Sequence, residues 1–190
     1  LFIAIGAPLN YTSSMASVTP SNLIITSPNG IDWTYRSSPA IFRLNAAAYG
    51  NNTFVIVGTT NKGTNNPNYI LTSTDGFTWT LGYGPADNPW SGVAFGNGKF
   101  VAITATGTWG AGEWFKTMVS TNGISWSLNG ISANYTTNHW HSIIYANNRF
   151  VAIASYTSPA SNGIMFSEDG TMWYSANNYF YYTQNYWRSV

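Results

Sequence analysis

The chain has 190 residues and a formal net charge of +1, and only 7% of its residues are charged. This balance gives no electrostatic argument for binding nucleic acid or inserting into a membrane, and no apolar run reaches the length of a transmembrane helix. Because the sequence contains no cysteine, disulfides and thiolate chemistry are excluded. Aromatic residues make up 17% of the chain, which favours a large buried core.

A seven-residue motif recurs four times along the chain. Each copy has Ser first, Asp or Asn third, Gly fourth and Trp seventh, and successive copies are offset by 46, 47 and 47 residues. Self-similarity at a fixed period predicts a repeat architecture. The matching residues are Ser27, Asn29, Gly30 and Trp33; Ser73, Asp75, Gly76 and Trp79; Ser120, Asn122, Gly123 and Trp126; and Ser167, Asp169, Gly170 and Trp173.

A second motif lies in phase with the first. It covers Ala48–Val57 and returns at Ala94–Ile103 and Ile144–Ile153, while Leu1–Ile5 matches the end of another copy and Trp187–Val190 the beginning of one. We therefore predict one domain over residues 1–190, built from four repeats of about 47 residues. Three repeats cover residues 41–88, 89–138 and 139–186. The other combines a strand A from the C-terminus with residues 1–40.

Each repeat is expected to contain four strands, A to D. Asn97-Gly98 and Asn122-Gly123 suit two-residue type I′ turns, which need positive φ at both positions. Strands A and B, and strands C and D, should therefore form tight hairpins, joined by longer and more variable B–C and D–A connections. In the second complete repeat we predict strands over about Trp90–Phe95, Phe100–Thr104, Lys116–Ser120 and Ser125–Leu128.

Strand B is apolar at every position, as in Phe100–Ile103. A strand with this pattern must be covered on both faces. Four-stranded antiparallel sheets packed face to face around an axis satisfy that requirement, and radial repetition also protects the sheet edges. The sequence therefore predicts an all-β protein with the blades of a β-propeller, in preference to an open solenoid or a sandwich.

The Ser-x-Asp/Asn-Gly-x-x-Trp motif resembles the Asp-box, or BNR repeat, of sialidases, other propeller glycosidases and non-enzymatic propellers. The family pattern has one more residue between Asp and Gly, and two copies here carry Asn29 and Asn122 instead of Asp. The resemblance covers essentially the whole chain. It implies a structural role for the motif on the outer hairpin of each blade, which agrees with the tendency of Asp and Asn to accept hydrogen bonds from their own turn.

The resemblance to sialidases raises the question of catalysis. Sialidases use three arginines, a Tyr–Glu pair and an Asp, and Ile41–Leu44 is faintly similar to their first arginine segment. The repeat explains that segment more simply, by aligning Phe42 with Trp90 and Arg43 with Ser91. We therefore predict no enzyme activity, and a glycoside hydrolase fragment stays as an alternative.

Candidate acids and metal ligands are few. Glycoside hydrolysis generally needs two carboxylates about 5–10 Å apart on one face. Asp32, Asp75, Glu168 and Asp169 belong to C–D turns, which leaves Asp87 and Glu113 as one conceivable pair. His139 and His141 could share one side of a strand, but no third ligand is evident. We predict no metal and no cofactor.

The B–C and D–A connections should emerge together at one end of the sheets, where variable loops on a rigid scaffold form binding surfaces. They are rich in aromatic residues, which suit sugars or protein partners. The predicted ligand-binding residues are Tyr83, Trp90, Trp109, Trp114, Tyr135, His139, Tyr156, Tyr174, Tyr179 and Tyr182.

These patterns favour a non-catalytic recognition module that binds a glycan or a protein receptor, as in an extracellular, virion or cell-surface adhesin. A structural scaffold that contacts other proteins is the main alternative. The ends of the chain complement each other in the repeat, which fits a closed ring of four blades, a piece of a larger ring, or self-association of two chains.

Overall fold

The computed structural model describes residues 1–6, 23–59, 69–86, 88–104, 116–130, 139–156 and 163–176. These residues form fifteen β-strands, and no helix among them is long and apolar enough to cross a membrane. Sheet 1 contains β1 (Phe2–Gly6), β2 (Leu23–Ser27) and β3 (Thr34–Arg36). Sheet 2 contains β4 (Arg43–Gly50), β5 (Thr53–Thr59), β6 (Tyr69–Ser73) and β7 (Thr80–Tyr83).

The other two sheets repeat this arrangement. Sheet 3 contains β8 (Trp90–Gly96), β9 (Lys99–Thr104), β10 (Lys116–Ser120) and β11 (Ser127–Gly130). Sheet 4 contains β12 (His139–Ala146), β13 (Arg149–Tyr156), β14 (Ile164–Ser167) and β15 (Tyr174–Ser175). Neighbouring strands are antiparallel and follow chain order. The predicted all-β architecture of antiparallel propeller blades is confirmed, with three strands of sheet 1 within the described residues.

The A–B hairpins close through the predicted two-residue turns. Asn97 and Gly98 have φ of 47° and 72°, and Asn51 and Asn52 have φ of 46° and 56°. Both central residues of each turn therefore lie in the left-handed region that a type I′ turn requires. Asn147 and Asn148 follow the same pattern.

The prediction of a two-residue turn between strands C and D was wrong. In sheet 3 only Gly123 of the pair Asn122-Gly123 has positive φ, and β11 begins at Ser127 rather than Ser125. The motif forms a wider loop because the Asn122 side chain accepts hydrogen bonds from Ile124 N and Ser125 N. These N–H groups consequently bond to the side chain rather than to the strand ladder.

The core lies between successive sheets. Val55 and Val57 of sheet 2 pack with Trp90 and Met118 of sheet 3, whereas Ile56 packs towards sheet 1. All three β5 residues are fully buried. Strand B is therefore covered on both faces, as its unbroken apolar sequence predicts.

A β-bulge in strand A connects neighbouring sheets. The pairing register shifts at Asn45 in β4 and at Ser91 in β8. The Asn45 amide donates to Trp90 O at 2.8 Å, and the Ser91 hydroxyl donates to Trp140 O at 2.8 Å. The polar residue at each bulge thus joins its sheet to the next one, so these bulges are structural features rather than defects.

The same register corrects one alignment made from the sequence. Leu44 pairs with Gly58 as Trp90 pairs with Thr104, so Leu44, not Phe42, is the structural equivalent of Trp90. Arg43 therefore does not correspond to Ser91. Both strands carry the bulge at the same step, and the 46-residue spacing between Ala48 and Ala94 agrees with this register.

Alanine substitutions at two glycines of sheet 3 should lower the free energy of unfolding by different amounts. A Cβ at Gly96 would collide with the Tyr145 ring of sheet 4, whereas a Cβ at Gly98 would meet nothing within 4 Å. Gly96→Ala should lower the free energy of unfolding by about 3 kcal/mol or more because the junction must open. Gly98→Ala should lower it by about 1 kcal/mol because alanine is strained at positive φ. Urea denaturation measures both, and equal losses would contradict this assignment of the junction.

Candidate functional site

The two ends of the sheets differ in chemistry. One end, the turn face, carries the A–B turns and the C–D loops. The Asn51 amide of one A–B turn donates to Thr121 O in the neighbouring C–D loop at 2.8 Å, which places both on this end. The opposite end, the loop face, carries the B–C and D–A connections.

The motif residues of the turn face bond to one another. In every copy the Ser hydroxyl accepts the glycine N–H at 2.8 Å. The Asp or Asn Oδ1 accepts the N–H groups two and three residues further on. The Trp Nε1 donates to the glycine carbonyl in three copies, at Trp33, Trp126 and Trp173. The polar atoms of the motif are therefore largely committed to the loop itself.

These hydrogen bonds hold two aspartates ionised. The N–H groups of Thr78 and Phe77, with the Ser73 hydroxyl, lower the pKa of Asp75 from 3.8 to about 2. Burial raises the pKa of Asp169, but the Thr171 hydroxyl and the N–H groups of Met172 and Thr171 outweigh that effect and leave the pKa below its ordinary value. Groups that stay ionised in this way are poor proton donors near neutral pH.

The other acids of the turn face are also engaged in local contacts. Asp32 accepts the Asn29 amide at 2.9 Å, and Glu168 forms an exposed ion pair with Arg149 at 3.1 Å. The candidate pair Asp87 and Glu113 lies outside the described residues. Within those residues, no group of three potential ligands could hold a metal ion.

A cavity of about 290 Å³ opens on the turn half of the sheet 2–sheet 3 junction. Its lining includes the hydroxyls of Thr53, Thr72 and Thr80, the carboxylate of Asp75 and the apolar side chain of Ile70. It contains no aromatic side chain and no cation. This lining offers hydrogen bonds but no flat aromatic surface for a sugar ring.

An aromatic ladder occupies the loop face of sheet 2. The Tyr69 and Tyr83 rings are 5.7 Å apart at the facing ends of β6 and β7, and Phe42 meets Tyr69 edge-on at 5.4 Å. Phe42 is buried, Tyr69 is half-buried and Tyr83 is 57% exposed. The three rings run in sequence from the core to solvent. The Tyr83 ring therefore packs against Tyr69 on one side and stays exposed on the other. Tyr69 was not among the predicted site residues, although it stands directly before an apolar strand.

Trp90 was predicted to contact ligand, but the structure buries it completely between sheets 2 and 3. Its side chain fills the junction because strand A is the innermost strand and its first residue points towards sheet 2. Within the described residues, the indole Nε1 has no hydrogen-bond partner, and neither does Asn88 Oδ1, whose side chain is also buried. A buried donor and a buried acceptor thus lie two residues apart at the loop face of sheet 3.

Tyr174 was also assigned to the loop face, and this was wrong. It begins β15 and pairs with Phe166, one step from the motif residue Ser167, so it lies next to the turn face. Strand D begins later than predicted because the C–D loop is wider. His139 does begin strand A at the loop face, where it pairs with Tyr156, and it is half-buried.

The remaining predicted residues are not described. They are the side chain of Tyr156 and the residues Trp109, Trp114, Tyr135, Tyr179 and Tyr182. The described part of the loop face therefore consists of strand ends of all four sheets, with Tyr83 as its most exposed predicted residue.

No family model matches the chain, and no curated protein matches it. Solved structures of β-propeller proteins do. The Bombyx mori GH32 β-fructofuranosidase, in complex with sucrose, gives a TM-score of 0.54 at 11% identity, over 96% of this chain and 47% of that protein. A candidate glycosidase from Bacteroides thetaiotaomicron VPI-5482 gives 0.52 at 12% identity, over 87% and 65%.

A candidate glycoside hydrolase from Parabacteroides distasonis ATCC 8503 gives a TM-score of 0.51 at 15% identity, over 87% of this chain and 65% of that protein. The chain therefore spans between about half and two thirds of the length of these proteins. At such identities the likeness shows the propeller fold alone.

The lowered pKa values predict a loss of stability in acid. Because the folded-state pKa of Asp75 lies below 3.8, ionised Asp75 stabilises the fold above about pH 4, and this contribution disappears as the pH falls towards 2. Asp169 should act in the same sense. We expect the melting temperature to fall between pH 5 and 2, and to fall less in the double variant Asp75→Asn/Asp169→Asn.

Asparagine is a structurally matched replacement at these positions. Asn29 and Asn122 accept the same backbone N–H groups in sheets 1 and 3, so the variant should fold at pH 7. If the melting temperatures of the wild type and the double variant fell by the same amount between pH 5 and 2, the two aspartates would not cause the acid sensitivity.

Proposed function

We propose that the chain is a non-catalytic recognition module that binds a glycan through its loop face. The observation that carries the proposal is the exposed Tyr83 ring, held by Tyr69 at the end of sheet 2. A tyrosine fixed in this way presents a flat apolar surface to a sugar ring at little cost in conformational entropy.

Polar groups near the start of sheet 3 support the same ligand class. Asn88 Oδ1 accepts and Trp90 Nε1 donates, and neither has a partner in the described structure. Leaving such buried atoms unsatisfied costs about 1–3 kcal/mol each. Because both side chains are buried, a ligand does not reach these atoms directly, but a bound water is both donor and acceptor and could link either atom to a ligand hydroxyl.

The two faces differ in charge. The chain carries seven basic and six acidic residues in total. The described acids, namely Asp32, Asp75, Glu168 and Asp169, all belong to the C–D loops of the turn face. The described strand ends on the loop face carry no acid and include two basic residues, Arg43 and Lys116, which begin β4 and β10.

The proposal of a non-catalytic role rests on the state of these acids. Asp75 and Asp169 accept several hydrogen bonds and have lowered pKa values, whereas a general acid needs a pKa near the working pH. We also assign the four C–D loops to the Asp-box type, on the repeated bonding of their Ser, Asp or Asn, and Gly residues. An extracellular, virion or cell-surface location completes the proposal, because glycans and receptors are displayed there.

Tyr83→Ala tests this surface. Removing the ring should weaken binding to the preferred glycan by about tenfold, the loss expected when a stacking contact of about 1.4 kcal/mol is removed. A glycan array identifies the ligand, and isothermal titration calorimetry measures the affinity. Tyr35→Ala is a matched control, because Tyr35 is similarly exposed but lies in β3, away from the loop face.

The same experiments can refute the proposal. Equal losses in the Tyr83 and Tyr35 variants would remove the loop face from the site. Absence of glycan binding, together with stable capture of a protein receptor, would favour the protein-scaffold alternative. Hydrolysis of a bound glycan by the purified chain would contradict the non-catalytic role.

A further inference from the structure

The junction between sheets 1 and 2 holds a cation at its outer edge. Arg36 of β3 donates from Nε to the Thr26 hydroxyl of β2 at 2.8 Å. Its guanidinium carbon lies 4.4 Å from the centre of the Phe77 ring, which belongs to the C–D loop of sheet 2. Hydrogen bonds at the edge and a ring against the flat face are the contacts that a guanidinium favours. A cation therefore fills the space between strands C and D of sheet 1 and the next C–D loop.

A cation also occupies the junction between sheets 3 and 4. Lys99 begins β9 and donates from Nζ to Asp169 O of the sheet 4 C–D loop at 3.1 Å. The strand register identifies its counterpart in sheet 2, because Gly50 pairs with Thr53 as Gly96 pairs with Lys99. Sheet 2 thus has a short, uncharged side chain where sheet 3 has a lysine.

The junction between sheets 2 and 3 lacks a cation at both of these positions. In the register of strands C and D, Gly82 and Thr72 are the equivalents of Arg36 and Thr26. Gly82, Thr72 and Thr53 all line the cavity of about 290 Å³ described above. The cavity therefore lies in the space that cationic side chains fill at the neighbouring junctions.

The lining of this cavity suits a positive charge. Asp75 lies in the lining, and its lowered pKa keeps the carboxylate ionised at neutral pH. Its Oδ1 atom bonds to the C–D loop, but these bonds leave the negative charge in place to attract a cation. The hydroxyls of Thr72, Thr78 and Thr80 add acceptors to the same lining. Sheet 1 has the neutral Asn29 at the position of Asp75, so the site in sheet 2 adds a charge that its filled counterpart lacks.

We propose that this cavity is a second binding site, which takes the alkylguanidinium group of a ligand in the place that Arg36 occupies in sheet 1. The group should donate to the Thr72 hydroxyl, with its charge towards Asp75. Ile124, the fifth residue of its motif as Phe77 is in sheet 2, lines the cavity and offers an apolar surface to the flat face. The volume lies at the small end of ligand sites, so the cavity fits a group of arginine size rather than an oligosaccharide.

Titration of the ¹⁵N-labelled chain with ethylguanidinium chloride, followed by amide chemical shifts, tests the site. Shifts should change at the lining residues Thr72, Gly82 and Gly123, with a dissociation constant on the order of 1 mM, as expected for so small a ligand. Ethylurea has the same shape without the charge and should bind at least about threefold more weakly, because it cannot form charge-assisted hydrogen bonds. Sodium chloride keeps the ionic strength equal in all samples.

Two matched variants test the role of charge. Asp75→Asn keeps the loop, since Asn122 accepts the same backbone N–H groups in sheet 3. It should raise the dissociation constant for ethylguanidinium by about threefold, the effect expected for an exposed charge pair. Asp169→Asn makes the same change in sheet 4, outside the cavity, and should leave the dissociation constant unchanged.

Gly82→Arg tests the role of the space. It introduces the side chain that sheet 1 has at this position, and a Cβ at Gly82 meets only Ile70 O at 3.6 Å, an ordinary contact. The new guanidinium should fill the cavity and abolish binding of ethylguanidinium. Should this variant fail to fold, Thr53→Lys takes its place, because it copies Lys99 and closes the cavity from the other side.

A short peptide with one arginine distinguishes the sources of the group. Tighter binding of the peptide than of ethylguanidinium at the same residues supports a protein side chain as the ligand, and weaker binding supports a free small molecule. Equal affinities for ethylguanidinium and ethylurea, or binding that persists in Gly82→Arg, would overturn the proposal. So would tighter binding in Lys62→Gln or Arg188→Gln, the two cations outside the described residues, since one of the chain's own side chains would then occupy the cavity.

Discussion

Coverage of strand B on both faces is the constraint on which the rest of this structure depends. A strand such as β5, with Val55, Ile56 and Val57 all buried, cannot lie at the surface of a sheet stack. Each blade therefore needs a neighbour on either side, and the chain meets this need by repeating one unit with the same register. The bulge residues Asn45 and Ser91 add a hydrogen bond from each blade to the next, which fixes the spacing of the stack.

This radial packing separates the two ends of the blades into different roles. At the turn face, the Ser, Asp or Asn, and Gly residues bond to their own loop in every copy, so they stabilise the hairpin and have little capacity left for a ligand. At the loop face the connections differ between blades, and aromatic and amide groups lie at the strand ends. Variation is tolerated there because the scaffold does not depend on those residues.

Burial decides which aromatic residues can take part in recognition. Trp90 and Tyr83 lie at the same end of neighbouring sheets, yet Trp90 fills a junction while Tyr83 projects into solvent. The innermost strand points its large side chains into the stack, whereas the outermost strand presents them at the rim. The motif tryptophans show the same dependence on position, because Trp79 and Trp173 are buried against the preceding sheet, Trp126 is half-buried and Trp33 is 42% exposed.

The sequence alone determined the blade unit, its period, the position of strands A to C and the type I′ turns between strands A and B, because these follow from local features: motif spacing, unbroken apolar strands, and Asn and Gly residues that accept positive φ. It could not determine the width of the C–D loop or the bulges in strand A, since side-chain capping and inter-sheet bonds set both. Only the tertiary structure buried Trp90, moved Tyr174 to the turn face, joined Tyr69 to Tyr83 and left Trp33 uncovered. Those outcomes depend on which sheet lies beside each residue, and a repeat that encodes the same local pattern in every blade does not specify the side chains of that neighbour.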